Sequence, residues 1–400
     1  MYIRTTRRRN KDGSVTEYLQ LAHNEWDKAA RRSAVNVLIN LGRKEDVDPQ
    51  GLERLAASIR RYLGTHPGNT PGITANDVKV LSSKTYGGCW LLDQLWQRMG
   101  IGECLKRLLL GKGYEIPIER ALFAMAANRA INPASKLANE AWVNEEAYIP
   151  NLPAVCVHQL YRSMDFLLEH DAAVQENVFF GVANLLNLEV DLIYFDTTST
   201  YFEIDNPDET EEADEDGAGA LRQHGHTKDH RPDLPQIVIG MAVTKEGIPV
   251  RCWVFSGETA DMSIVEQVKK DLKYLIKTSD DTLSLSDIVL GYKQLHDIER
   301  GFRTLKSDLD LRPVYHHKPS RIRAHVLICW LALLLIRIAE NETAMTWFSI
   351  RKMLKPINLV SLKLPEGVVQ QSTELTQAQE SIFKACKTKA PPKVIQMQPL

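Results

Sequence analysis

The sequence predicts an α/β fold, and three observations carry that expectation. Apolar residues recur at helical spacing through residues 90–190. Strand-like runs follow at 192–202, 235–243 and 249–255, the last two joined by the turn Lys245-Glu246-Gly247. An almost wholly apolar helix then begins near Ile322. Helices ahead of a sheet, with a further helix deep enough to be apolar on every side, describe a layered α/β core.

From the N-terminus, Arg4, Arg7, Arg8, Arg9 and Lys11 form a basic cluster. Asp12-Gly13 follows, then the alternating Val15 to Leu21, and this pattern predicts a hairpin. The cluster fits a phosphate contact and a solvated face equally well. Arg31 and Arg32 open a stretch through Val35, Val37, Leu38 and Leu41 that reads as a helix. A second short helix is expected over 51–63, and Pro67 to Gly72 reads as a linker. Residues 1–75 thus form a basic N-terminal region with a hairpin and short helices.

Residues 76–188 read as a helical domain suited to DNA binding or dimerisation. Its stripes include Leu91, Leu92, Leu95 and Met99, then Ile101, Leu105 and Leu108. Glu119 to Arg129, Val157 to Leu168 and Val174 to Leu186 continue the pattern.

The strand at 192–202 holds the first candidate functional residue. Leu192 to Phe195 is apolar, and Asp196 interrupts it. A carboxylate there must be paired, hydrated or bound to a cation. It is either a strand-end cap or a metal or acid–base group held on a rigid element. After Phe202 come eight acidic residues between Asp205 and Asp216, which read as a solvated loop because they repel one another. Arg222, His224, His226, Lys228, His230 and Arg231 follow. His224 and His226 could ligate a metal, but a surface loop is the better reading, and its basic character fits phosphate contact. The strands at 235–243 and 249–255 join the first in an antiparallel sheet. Ile264 to Tyr274 reads as a helix.

A long helix is expected from Asp287 to Leu305. Tyr292, Leu295, Glu299, Arg303 and Lys306 share one stripe on it, beside the apolar Ile298, Phe302 and Leu305. An exposed ion-pair face would look the same. Residues 189–345 form the core of the chain, and 346–400 read as a tail whose last thirty residues are poorly ordered.

Composition narrows the function classes. Over 400 residues, 49 basic and 51 acidic side chains leave a net charge of -2, so any nucleic-acid signal is local. Six scattered cysteines without a CxxC pair suit reduced thiols and a cytoplasmic setting. The N-terminus has no signal-peptide core. The longest apolar run, Val326 to Ile336, has eleven residues, too few to span a bilayer, so no membrane partner is expected.

Two blocks carry a resemblance. Tyr194-Phe195-Asp196-Thr197-Thr198 resembles the first catalytic strand of DDE-type insertion-sequence transposases, in particular the IS4-like group with an extended amino-terminal region. Tyr292, Glu299 and Lys306 match that family's pattern of Tyr, two residues, Arg, three residues, Glu, six residues, Lys. Leu295 stands where the Arg is expected. The resemblance covers roughly Leu19 to Glu340. It implies a ribonuclease-H-like core in which carboxylates hold two Mg²⁺ or Mn²⁺ ions for DNA strand cleavage and transfer. Asp196 and Glu299 would be catalytic and metal-binding. Tyr292, Arg303 and Lys306, with Arg222, Lys228 and Arg231, would contact the element's inverted repeats or target DNA, in a cytoplasmic, homodimeric protein.

The departure from the family is an absence. The second catalytic Asp should end an apolar strand between the turn at Gly257 and the glutamate helix. Only 37 residues separate Asp261 from Glu299, and no such strand is visible. An internal deletion near 272–273 explains this and leaves the core incomplete. Asp261, Asp280, Asp281 and Asp287 do not follow a clear apolar strand. The expected protein is therefore a transposase without cleavage activity. Rival readings are a DNA-binding inhibitor of full-length copies, a divalent-metal nuclease and a structural helical protein.

Overall fold

The computed structural model describes the chain apart from residues 1, 11–12, 28–31, 49–51, 55, 57, 60–77, 187–192, 205, 210–219, 227, 229–230, 261–262, 265–266, 269–270, 272–297, 366 and 400. The chain divides into two compact units, Met1–Asp77 and Val78–Leu400.

The first unit is a three-stranded antiparallel sheet of β1 (Tyr2–Arg9), β2 (Val15–Asp27) and β3 (Arg32–Arg43), in that order. The expected hairpin is present. Gly13 takes φ of 86°, and Arg9 pairs with Val15 across the turn. Glu17 on β2 bridges Arg7 at 2.8 Å and Lys44 at 2.7 Å. The four arginines of β1 suit an edge strand, where charge discourages pairing with another chain. The helix expected from Arg31 is instead β3. Val35, Val37, Ile39 and Leu41 alternate with Asn36 and Asn40, a period-two pattern, and β2 pairs with this strand from Asp27↔Arg32 to Tyr18↔Arg43 with two register shifts. Described residues of the expected second helix, 52–54, 56 and 58–59, are helical.

The second unit mixes helices with two sheets, both antiparallel. After β4 (Lys79–Thr85), the helical stretch consists of α1 (Gly87–Arg98), α2 (Ile101–Leu109), α3 (Ile118–Ile131), α4 (Lys136–Ala141), α5 (Val157–Glu169) and α6 (Asp171–Leu186). These helices follow the stripes read from the sequence. α3 is buried on every side, including Glu119 and Arg120. Those charges are matched locally: Arg120 bridges Asp93 at 2.7 Å, and Glu119 accepts the Trp96 indole N–H at 2.9 Å.

The strands β5 (Ile193–Tyr201), β6 (Gln236–Thr244) and β7 (Pro249–Ser256) form an antiparallel meander. β6 is central and buried at every position, which explains its unbroken apolar run. Gly247, with φ of 71°, makes the β6–β7 turn. Among the described residues β5 is an edge strand with β6 as its strand partner. A helix over residues 298–303 leads into a π-helical turn, Thr304–Asp308.

The core is organised by α7 (Pro319–Thr343), which packs on α1, α3, α5 and β7. Pro319 at its first turn suits a helix start, since its missing N–H would have no helical partner there. By length and composition α7 could cross a membrane, but 94% of its apolar window is buried inside the protein. Arg337 and Glu340, both buried, pair at 2.8 Å. Glu340 also accepts the Trp347 backbone N–H at 2.8 Å.

The tail expected over 346–400, with its last thirty residues poorly ordered, instead holds regular elements. α8 (Trp347–Leu354), β8 (Asn358–Leu364), β9 (Gly367–Ser372), α9 (Gln377–Ala385) and β10 (Val394–Pro399) follow α7. The strands build the sheet β10-β9-β8-β4, in which β4, from far back in the chain, is the other edge. Thr376 and Gln379 cap α9 reciprocally, and Ile382 and Phe383 bury its inner face. Two polar strands and an amphipathic helix carry little local signal; long-range pairing supplies their stability.

Candidate functional site

Asp196 lies in the middle of β5, opposite Met241 of β6. Directly paired residues project to the same face of a sheet. A methyl placed on Gly301 would lie 3.0 Å from the Met241 Cε, so the 298–303 helix sits against β6 in the row of Asp196. Glycine at 301 permits that approach. The sequence-predicted carboxylate strand and glutamate helix therefore share one face of the meander.

The two carboxylates are nevertheless engaged separately. Asp196 Oδ1 accepts the Thr197 backbone N–H at 2.7 Å and lies 3.6 Å from Lys228 Nζ. Both side chains are about four-tenths exposed, at 44% and 39%, so solvent screens the pair and its worth is small. Lys228 is anchored more firmly to Thr197. Its ammonium donates to the Thr197 carbonyl at 2.6 Å and hydroxyl at 2.8 Å, and its backbone N–H donates to Ser199 Oγ at 2.9 Å. Lys228 is thus held against β5. Glu299 faces solvent and pairs with Arg303 one turn on, at 2.8 Å. Arg300, between them, reaches Glu340 of α7 at 3.4 Å. The helix is held by Ile298, Phe302 and Leu305, all buried as their stripe predicted.

The other predicted contact residues are placed as follows. Arg222 is clamped to Asp208, donating Nε–H to Oδ1 at 2.6 Å, while Leu221 and Arg222 backbone N–H groups reach Oδ2 at 3.1 and 2.8 Å. Burial pushes the Asp208 carboxyl up, but the Arg222 and backbone hydrogen bonds outweigh it and hold the group below its usual range. Arg222 is therefore committed to loop architecture in this state. Arg231 pairs with Asp233 at 2.7 Å and stands 5.3 Å from the centre of the Tyr201 ring. Arg312 lies 4.5 Å from that centre, so two guanidinium groups attend the end of β5. Nothing in the sequence around Arg312 marked it out. Lys306 is half-buried in the π-helical turn. Tyr292, Asp261, Asp280, Asp281, Asp287 and the 272–273 junction lie outside the described residues.

The loop carrying Arg222 and Lys228 is docked by backbone. Gln223 and Gln236 exchange hydrogen bonds at 3.1 and 2.9 Å, and Gly257 donates to the Leu221 carbonyl at 3.1 Å. Gly257 has no room for a side chain: a Cβ would meet the Gln223 and Gln236 carbonyl oxygens at 2.2 Å.

A divalent ion of the Mg²⁺ type needs several oxygen ligands. Among the described residues, no group of three His, Cys, Asp or Glu side chains could hold one. Asp196 is faced by an ammonium, and Glu299 by a guanidinium. As they stand, these donors do not fit a two-metal site. His224 and His226 are exposed and belong to no such group.

Comparison with known proteins bears on the N-terminal unit. Residues 3–70 match the family model for the N-terminal domain of IS1634 family transposases. No curated protein and no solved structure matches the chain.

Proposed function

We propose that this chain is a DDE-type insertion-sequence transposase of the IS4-like group, shortened near 272–273, that binds DNA and does not cleave it. The match of residues 3–70 to a transposase N-terminal domain supports the family reading. The antiparallel meander with a carboxylate on its edge strand supports a ribonuclease-H-like core lacking one strand. The observation that carries the loss of cleavage is Lys228. Its ammonium lies beside Asp196, where the family reading would put a metal ion, and among the described residues no group of three His, Cys, Asp or Glu side chains completes a metal site.

DNA binding would rest on cations around the meander and in β1. Arg231, Arg303 and Lys306 lie near β5 or on the glutamate helix and its turn, and the β1 arginines are exposed. Such contacts go to phosphates and are sequence-independent. The protein would act in the cytoplasm as a homodimer on its element's inverted repeats. A binding-competent but inactive copy would inhibit full-length copies by occupying their sites or mixing with them.

The test uses the full chain on its own element's end sequence, with Mg²⁺ or Mn²⁺. A gel shift should weaken by about tenfold or more between 50 and 200 mM salt. No nicked or joined product should form, and Asp196→Ala should leave the shift within about twofold of the starting protein. Cleavage that Asp196→Ala abolishes would overturn the inactive reading. Cutting without end preference would favour a nuclease, and absence of a salt-dependent shift would remove the DNA-binding reading.

A further inference from the structure

A cavity of about 500 Å³ lies among α3, α4, α5 and α7. Arg129, Lys136, Tyr161, His316 and His325 line it, and its lining contains no Asp or Glu. It reaches solvent at Leu137 and Tyr315, which are 68% and 63% exposed.

The cations here are deeply placed and incompletely partnered. Lys136 is 3% exposed, and its Nζ has no hydrogen-bond partner among the described residues. Arg129 is 4% exposed. Its guanidinium donates to the carbonyls of Asp310 at 2.9 Å and Ala134 at 2.6 Å, while Nε is left over. His325 is 1% exposed; Nε2 lies 3.3 Å from the Leu311 carbonyl, and Nδ1 has no hydrogen-bond partner among the described residues. The His316 ring centre stands 5.5 Å from that of His325.

Buried donors of this kind are costly to leave unmatched. Burial first, then Arg129, holds the Lys136 amine down to about 7. Burial, then Lys136, Arg321 and Arg129, holds His316 down to about 4. Burial and the same cationic neighbours, Arg129, Lys136 and His316, hold His325 well below its usual value. What the cavity lacks is negative charge, and the Lys136 ammonium and Arg129 Nε lack acceptors among the described residues. A neutral or cationic occupant would supply no negative charge. A compact oxyanion supplies charge and several acceptors together, and 500 Å³ admits one with accompanying water.

We propose that this cavity binds a phosphate-sized oxyanion, either free inorganic phosphate or a terminal phosphate on a nucleic-acid strand. Lys136 supplies the central ammonium, with Arg129 as the further donor. The site is independent of Asp196 and of the metal chemistry of the family.

The test is calorimetric titration of the full chain with inorganic phosphate, alongside thermal unfolding. Wild type should bind, and Lys136→Met should weaken binding by at least about tenfold. Its unliganded Tm should equal or exceed the wild-type value, because an apolar chain of similar length replaces a buried ammonium. Leu137→Glu, at the exposed mouth, should also weaken binding while folding normally, and it decides the matter if Lys136→Met does not fold. Competition by a short 5′-phosphorylated oligonucleotide, but not its 5′-hydroxyl form, would assign the anion to a strand end. Absence of competition by both would assign it to free phosphate. No binding by wild type, or undiminished binding in folded Lys136→Met, would overturn the proposal and leave a hydrated cavity.

Discussion

Replacing Gly257 by Ala tests how the loop bearing Arg222 and Lys228 is held against the sheet. The added methyl would start 2.2 Å from two carbonyl oxygens, those of Gln223 and Gln236. Ordinary carbon–oxygen contact needs about 1 Å more. Both obstacles are backbone, so no rotamer change relieves the clash. The loop must back away, and four hydrogen bonds are exposed to loss: the two between Gln223 and Gln236, Gly257 to Leu221, and Gln236 Nε2 to the His226 carbonyl at 3.0 Å. At about 0.5–1.5 kcal/mol net for each, the docking is weakened by roughly 2–6 kcal/mol. Undocking of the segment limits the loss, so that range is a ceiling on the global change. Hydrogen exchange read by NMR measures it directly. The Gln223 and Gly257 amides should lose protection by about tenfold at least, while amides of α7 keep theirs relative to global stability. Wild-type protection at Gln223 and Gly257 in a folded Gly257→Ala protein would refute the reasoning.

Three other perturbations follow from the geometry. Glu340→Ala removes the carboxylate that pairs with buried Arg337 and accepts the Trp347 N–H, and should cost about 3–5 kcal/mol in urea unfolding; a loss below about 1 kcal/mol would contradict that pairing. Asp208 has a folded pKa below its unfolded value of about 4. Its contribution is present above that value and disappears as pH falls through the lower folded pKa, so Asp208→Asn should flatten the acid side of the stability profile, measured by unfolding between about pH 5 and 2. Among the six free cysteines Cys156 is exposed and the other five are buried. Burial pushes the thiols of Cys89 and Cys386 up to about 12. Mass spectrometry after brief iodoacetamide treatment should show one label on the native protein, at Cys156, and six after denaturation.

Strong local patterns carried much of the architecture. The 3.6-residue stripes of α1, α2, α3, α5 and α6 and the continuous apolar run of β6 declare both type and burial, because each must cover an apolar face. Gly13 and Gly247 mark their turns because both take positive φ. β3 reads as a helix in sequence because Val35, Leu38 and Leu41 also satisfy a helical spacing; pairing with β2 settles such short runs. The folded C-terminal segment is hidden in the sequence for a related reason. Val368 to Gln371 and Asn358 to Lys363 are polar enough to pass for coil, and their partners lie on each other and on β4.

The candidate site divides along the same line. Asp196 was conspicuous as a charge on an apolar strand, and the spacing of Glu299, Arg303 and Lys306 was visible on a helix. Side-chain chemistry and periodicity are local properties, and they are written residue by residue. Which charge meets which is not. That Lys228 reaches Asp196 across 32 positions, that Glu299 turns to Arg303, and that Arg129, Lys136 and His325 surround one cavity all depend on chain paths. Coulomb interactions and hydrogen bonds act over a few ångströms of space rather than along the sequence, so only folding brings these partners within range.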